Sequence, residues 1–136
     1  MNKPLPVITT VSAPYWQSLE QGVLCYQHCA CGHRWLPPRP ECPACLGSDW
    51  KWARACGRAR LVSWVVYHTA YHEAFAAELP YNVSLVELEE GPRLISNVIG
   101  CADGRGLKAE MALELAVEYE QSVALARFRP AAAVQP

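Results

Sequence analysis

The chain lacks an excess of either charge: 12 Lys+Arg stand against 13 Asp+Glu over 136 residues, a formal net charge of −1. No bulk basic field is available to hold a polyanion. No run of consecutive apolar residues approaches the roughly 18 that a membrane span requires. Charged residues make up only 18% and apolar ones 51%, which argues against wholesale disorder and for a packed core. A secretory leader is not expected, because Pro4 and Pro6 interrupt the place where its apolar stretch would stand. Also missing are a Ser/His/Asp set, paired carboxylates and a phosphate-cradling glycine motif, so no nucleophilic, glycosidic or nucleotide-dependent catalysis is legible. Cys56 and Cys101 are lone nucleophile candidates with no basic partner close in sequence.

Cysteine, by contrast, is abundant and clustered. Four of the seven cysteines lie between Cys29 and Cys45. Without a leader, the expected setting is cytoplasmic, where such a cluster reads as thiols or metal ligands and not as a disulfide framework. Charge is uneven as well. Residues 1–60 hold seven basic and three acidic side chains, and residues 61–136 hold five and ten. The change of sign falls just after the cysteine cluster and suggests two modules with different surfaces.

Local patterns predict a mainly β protein. Ser12–Gly22 has the punctuation of a short helix: a Ser N-cap, Pro14 in the first turn and Gly22 as the stop. Strands are predicted at 23–27, 50–54, 60–67, 82–88, 93–99 and 123–128 from their β-branched and aromatic content and the turns between them. Residues 111–120 are rich in helix formers. Even so, Met111, Leu113, Leu115, Val117 and Tyr119 alternate strictly with Ala or Glu, and that period of two predicts a strand. Five strands after Gly57, with a long excursion at 68–80 between the first two, fit a small closed or half-closed barrel. Trp64 and Tyr67 are expected in its core. The expected organisation is an arm and helix over 1–22, a ribbon over 23–55, the barrel over 56–130 and a flexible tail over 131–136.

The ribbon is expected to hold a metal. Cys42-Pro-Ala-Cys45 has the spacing that lets two thiolates reach one tetrahedral ion, and Gly32 after Cys31 can take the positive φ of a ligand-bearing turn. Cys31, Cys42 and Cys45 are therefore well placed as ligands. The fourth is open between Cys29 and His28: Cys29-x-Cys31 is one residue short of the usual spacing, whereas His28-x-x-Cys31 has it. Four candidates with no Glu beside them as a general base favour a structural ion over a catalytic one.

Taken together, the Trp16 helix ending at Gly22, Gln27-His-Cys29, Cys31-Gly32, Pro37-Pro-Arg39, Cys42-Pro-x-Cys45, Gly57-Arg-Ala-Arg-Leu-Val-Ser-Trp64, His72-Glu-Ala-Phe75, Pro80-Tyr81 and Glu90-Gly-Pro-Arg-Leu94 resemble a known bacterial and archaeal family. Its members join a rubredoxin-like zinc ribbon to an OB-fold and are associated with acyl-CoA enzymes. The resemblance implies an N-terminal helix, the ribbon and a five-stranded OB barrel. It places the first ligand at Cys29, so that structural Zn²⁺ would be held by Cys29, Cys31, Cys42 and Cys45. It also implies a non-catalytic accessory subunit of a thiolase-like, aldolase or acyltransferase enzyme, with a coenzyme A thioester at the partner interface. The competing expectation is a free-standing OB-fold that binds nucleic acid. The −5 balance of residues 61–136 weighs against it.

Overall fold

Pro14 opens a short helix, α1 (Ala13–Glu20), and Gly22 closes it. Gly22 takes φ +77°, its N–H bonds the Leu19 carbonyl, and the Val23 N–H bonds the Ser18 carbonyl. This is the double hydrogen bond of a left-handed helix stop. At the other end Ser12 makes no side-chain cap. Its hydroxyl is turned back to accept from the Thr9 N–H at 2.9 Å, so the expected N-cap bond is replaced by a turn in the arm.

The computed structural model describes residues 4–131; most of the tail expected over 131–136 lies outside them. Two antiparallel sheets follow the helix. The first contains β1 (Cys25–Cys29), β2 (Arg34–Trp35) and β3 (Trp50–Arg54) in the order β2-β1-β3. β1 begins two residues later than predicted, because Val23 is spent on the helix stop and the Leu24 carbonyl accepts from Ala55. The second sheet contains β4 (Arg58–Tyr67), β5 (Tyr81–Leu88), β6 (Arg93–Ser96), β7 (Ala112–Glu120) and β8 (Val123–Pro130). Its order is β6-β5-β4-β7-β8. The alternating segment at 111–120 is a strand, so periodicity outweighed helix propensity there. The excursion between β4 and β5 carries a 3₁₀ segment at Glu73–Glu78, whose first turn is capped by the His72 ring.

The five-stranded sheet curls because β4 serves two neighbours. It pairs β5 along its whole length, with an irregularity between Leu61 and Ser63, and pairs β7 only at Arg58–Arg60. The predicted strand 93–99 is shorter than expected, since the chain changes partners after Ser96. Val98 bridges Phe128 in parallel, with the Ile99 N–H on the Phe128 carbonyl and the Phe128 N–H on the Asn97 carbonyl. That parallel contact joins the two outer strands of the sheet and gives the OB-fold.

A polar latch holds the joint. Buried Asn82 donates to the carbonyls of Val98 and Cys101 and accepts from the Val98 N–H and the Ser84 hydroxyl, all within 3.0 Å. Ser96 adds a bond to the Ala126 carbonyl. Fully satisfied in this way, the buried polar groups specify register at little desolvation cost.

Around the latch, Leu61, Val86, Leu113 and Phe128 are almost fully buried and pack with Leu19, Leu24 and Tyr26 from α1 and the first sheet. The helix and the edge of the ribbon are thereby built into the barrel's core. An eight-residue helix that would be marginal alone is stabilised by this docking.

The loop at 101–110 packs over β4 through Gly104. A Cβ at Gly104 would stand 2.8 Å from Val66 Cγ2, while one at Gly100 would meet nothing, and the two share φ near +85°. Gly100→Ala is expected to cost about 1–2 kcal/mol from backbone strain alone. Gly104→Ala should cost about 1–3 kcal/mol more, because of overpacking. Urea unfolding of the two variants checks the difference, and equal losses would contradict the packing.

Candidate metal centre

The two cysteine turns sit at one end of the three-stranded sheet. The first leaves β1 at Cys29 and returns through Gly32, at φ +99°, with the Gly32 N–H on the Cys29 carbonyl and the Cys29 N–H on the His33 carbonyl. The second runs through Cys42-Pro-Ala-Cys45. Leu46 takes φ +63°, its N–H bonds the Cys42 carbonyl, and the Cys42 N–H bonds the Gly47 carbonyl at 2.8 Å. The short Cys29-x-Cys31 spacing is thus accommodated by one tight turn.

The turns bring four sulfurs together. Cys29 and Cys45 lie 3.6 Å apart and Cys31 and Cys42 3.7 Å, and all four Sγ atoms fall within 4.8 Å of one another. Four sulfurs held at about 2.3 Å from a tetrahedral centre stand about 3.8 Å apart. Spacing and donor chemistry therefore both fit a four-coordinate ion, and the cluster can hold a metal. Among the described residues it is the one group of this kind. His28 lies outside it, its ring 6.5 Å from that of Tyr26.

The thiols are electrostatically unequal. Burial pushes the Cys42 thiol up, but the N–H groups of Cys45 and Ala44 and the sulfurs of Cys31 and Cys45 outweigh it and bring the pKa to about 7. At Cys29 the N–H of Cys31 pulls down, whereas burial and contact with the other three sulfurs push further, to about 12. Such a set shares protons, and a divalent cation displaces them on binding.

Side chains around the cluster fix its shape. Gln27, fully buried, donates to the Arg39 carbonyl and accepts from the Arg39 N–H, each at 2.7 Å. The Trp50 indole N–H bonds the Pro40 carbonyl at 2.8 Å. Together they tie the proline connector to β1 and β3, and Trp35 packs with Cys29 and Cys42 beneath it. In the sequence Gln27 stands out only as part of Gln27-His-Cys29. Its role shows only in the fold, where the buried amide meets the backbone of Arg39 in the connector.

Residues 52–118 match the family model described as the C-terminal OB-fold domain of ChsH2. A chain of the solved Ltp2-ChsH2(DUF35) aldolase superposes with a TM-score of 0.80 and 37% identity, over 93% of this chain and 98% of that one. The chain belongs to the DUF35 family. A DUF35 domain-containing scaffold protein of Pyrococcus furiosus is 26% identical over 96% of each chain. A probable enoyl-CoA hydratase alpha subunit of Thermomonospora curvata is 36% identical over 133 residues, and this DUF35 chain spans 40% of that protein's length. A DUF35 structure from Sulfolobus solfataricus, with a TM-score of 0.65 at 13% identity, shares the fold.

Other sequence candidates fall elsewhere. Cys56 donates its thiol to Glu89 at 2.8 Å; burial first, then that carboxylate, push its pKa up, opposite to the direction of an activated nucleophile. Trp64 packs against the core as expected, but Tyr67 faces outward and is 37% exposed, with ring contacts to Tyr71 and Tyr81. Residues three apart on a strand point to opposite faces, so one of the two had to leave the core. Strand parity is the signal in the sequence that separates the two. Among the described residues no helix is long and apolar enough to cross a membrane.

Proposed function

We propose that the chain is a non-catalytic accessory subunit of an acyl-CoA-processing enzyme, scaffolding a thiolase-like partner that carries out the bond-making. The observation that carries this reading is the 37% identity, over nearly the full length of both, to a chain of a two-protein aldolase. The scaffold protein of Pyrococcus furiosus and the hydratase subunit of Thermomonospora curvata point the same way.

In this reading residues 23–55 form the ribbon and 56–130 the barrel, and the ion of the ribbon is zinc, held by Cys29, Cys31, Cys42 and Cys45. Bound zinc supplies a tetrahedral cross-link and no substrate chemistry, because four protein ligands leave no open position. A coenzyme A thioester would reach the subunit at the partner interface. Lys51 and Arg54 on β3 are exposed and have no carboxylate partner among the described residues, which suits them to its phosphates.

The nucleic-acid reading is disfavoured by the barrel's own charges. All six arginines between residues 58 and 129 are ion-paired within the chain: Arg58 with Glu89, Arg60 with Glu87 and Glu110, Arg93 with Glu87, Arg105 with Asp103, Arg127 with Glu118 and Glu120, and Arg129 with Glu114. Phosphate binding would have to break these pairs.

Co-expression with the thiolase-like proteins of the same genome is expected to yield a stable hetero-oligomer by size exclusion at micromolar concentration. Elution as separate proteins would contradict the assignment. Elemental analysis of the freshly purified chain should return about one zinc per chain. Less than about a tenth of an equivalent would remove zinc from the account.

A further inference from the structure

The sulfur contacts of 3.6 and 3.7 Å both run between the two cysteine turns. Cys29 of the first turn meets Cys45 of the second, and Cys31 meets Cys42. Each contact joins one exposed cysteine to one buried one: Cys31 and Cys45 are exposed, whereas Cys29 and Cys42 are buried. Redox-sensing thiols have this layout, with an accessible sulfur that takes the oxidant and a neighbour that resolves it. A disulfide holds its sulfurs about 2.05 Å apart, so each pair has about 1.6 Å left to close.

The other three cysteines lack this arrangement. Cys25 donates to the Ser18 hydroxyl at 3.3 Å and Cys56 to Glu89 at 2.8 Å. Among the described residues none of the three, Cys101 included, has a second sulfur in contact. Cys56 is exposed as Cys31 and Cys45 are, so the adjacent sulfur, and not accessibility, sets the cluster apart. The direction of the pairs has a mechanical consequence. A bond from Cys29 to Cys45 or from Cys31 to Cys42 ties the first turn to the second, whereas one between Cys42 and Cys45 would leave the turns separate. The bonds of Gln27 and Trp50 to the connector involve no sulfur and persist in either case.

We infer that the cluster is a peroxide-responsive cross-link, in which Cys31 and Cys45 are oxidised and Cys42 and Cys29 resolve them as the disulfides Cys31–Cys42 and Cys29–Cys45. The inference rests on the zinc part of the proposed function and adds its regulation. At each exposed cysteine the thiolate attacks one oxygen of hydrogen peroxide, the O–O bond breaks, and a sulfenic acid and hydroxide form. The buried thiolate then attacks the sulfenic sulfur, the S–S bond forms, and the second oxygen leaves as hydroxide. Each pair gives up two electrons and the peroxide takes them. Over both pairs, two peroxides and four protons become four waters. No thiolate is left to hold the ion, which is released. One dithiol per disulfide reverses the step by exchange, becoming oxidised itself and returning the thiols. The ribbon thus trades its metal cross-link for two covalent ones and stays tied.

The test treats the freshly purified, zinc-loaded chain with hydrogen peroxide and follows zinc release with a chromogenic chelator. About two molecules of peroxide should release each zinc, and a dithiol with added zinc should restore the loaded form. After alkylation and denaturation, trypsin cuts behind Arg34 and separates the turns. Mass mapping should then find residues 29–31 disulfide-linked to residues 42–45, with Cys56 alkylated as a free thiol. In Cys31→Ser, oxidation should join Cys29 to Cys45 and leave Cys42 free. If that variant does not fold, electron-transfer fragmentation of the linked wild-type peptides reads the same pairing. In the native chain, cleavage after Arg34 should be at least about tenfold faster when the protein is reduced and chelated than when it is oxidised. Any other pairing, oxidation of Cys56 ahead of the cluster, equal cleavage rates, or zinc retained under excess peroxide would overturn the inference and leave the zinc reading standing. Less than about a tenth of an equivalent of zinc in the fresh chain would overturn the zinc reading, and the inference with it.

Discussion

Four sulfur atoms within 4.8 Å of one another set the condition on which the ribbon depends. The three-stranded sheet has almost no hydrophobic core of its own: Cys29, Trp35 and Cys42 with Trp50 are all it gathers away from the barrel. A cluster of that size cannot offset the conformational entropy of ordering some thirty residues. Cross-linking two turns through one ion can, since structural zinc sites contribute on the order of 10–16 kcal/mol of folding free energy. The hydrogen bonds of Gln27 and Trp50 to the connector then set its path between the two turns.

The barrel meets a different constraint. Its five strands must close on one another, and they do so through the Asn82 latch and the parallel contact at Val98 and Phe128. Leu19, Leu24 and Tyr26 join its core, so helix, ribbon edge and barrel are held by one continuous apolar cluster. That arrangement suits a scaffold. The barrel's arginines are spent in ion pairs on its surface.

Much of this was legible in the sequence, because the signals were local. Alternation at 111–120 outweighed the helical composition of the segment, and Gly22 and Gly32 stand where positive φ is required. The four clustered cysteines, read for spacing and resemblance, converge in space. What was not legible depended on distant partners. Ser12 is a good N-cap by type, yet Thr9 claims its hydroxyl. The strand from Arg93 ends at Ser96 because Val98 and Ile99 meet β8, some thirty residues away. Tyr67 and Trp64 stand three apart on β4, so they fall on opposite faces, and Tyr67 is the one that leaves the core.

The central claim is that one ion, ligated by sulfur alone, holds the ribbon in the form that the rest of the chain is built upon. X-ray absorption at the zinc edge of the purified protein tests it most directly. The account predicts a single shell of four sulfur neighbours at about 2.3 Å. A nitrogen neighbour at about 2.0 Å, the signature of His28 in place of a cysteine, or an open position filled by oxygen, would contradict it.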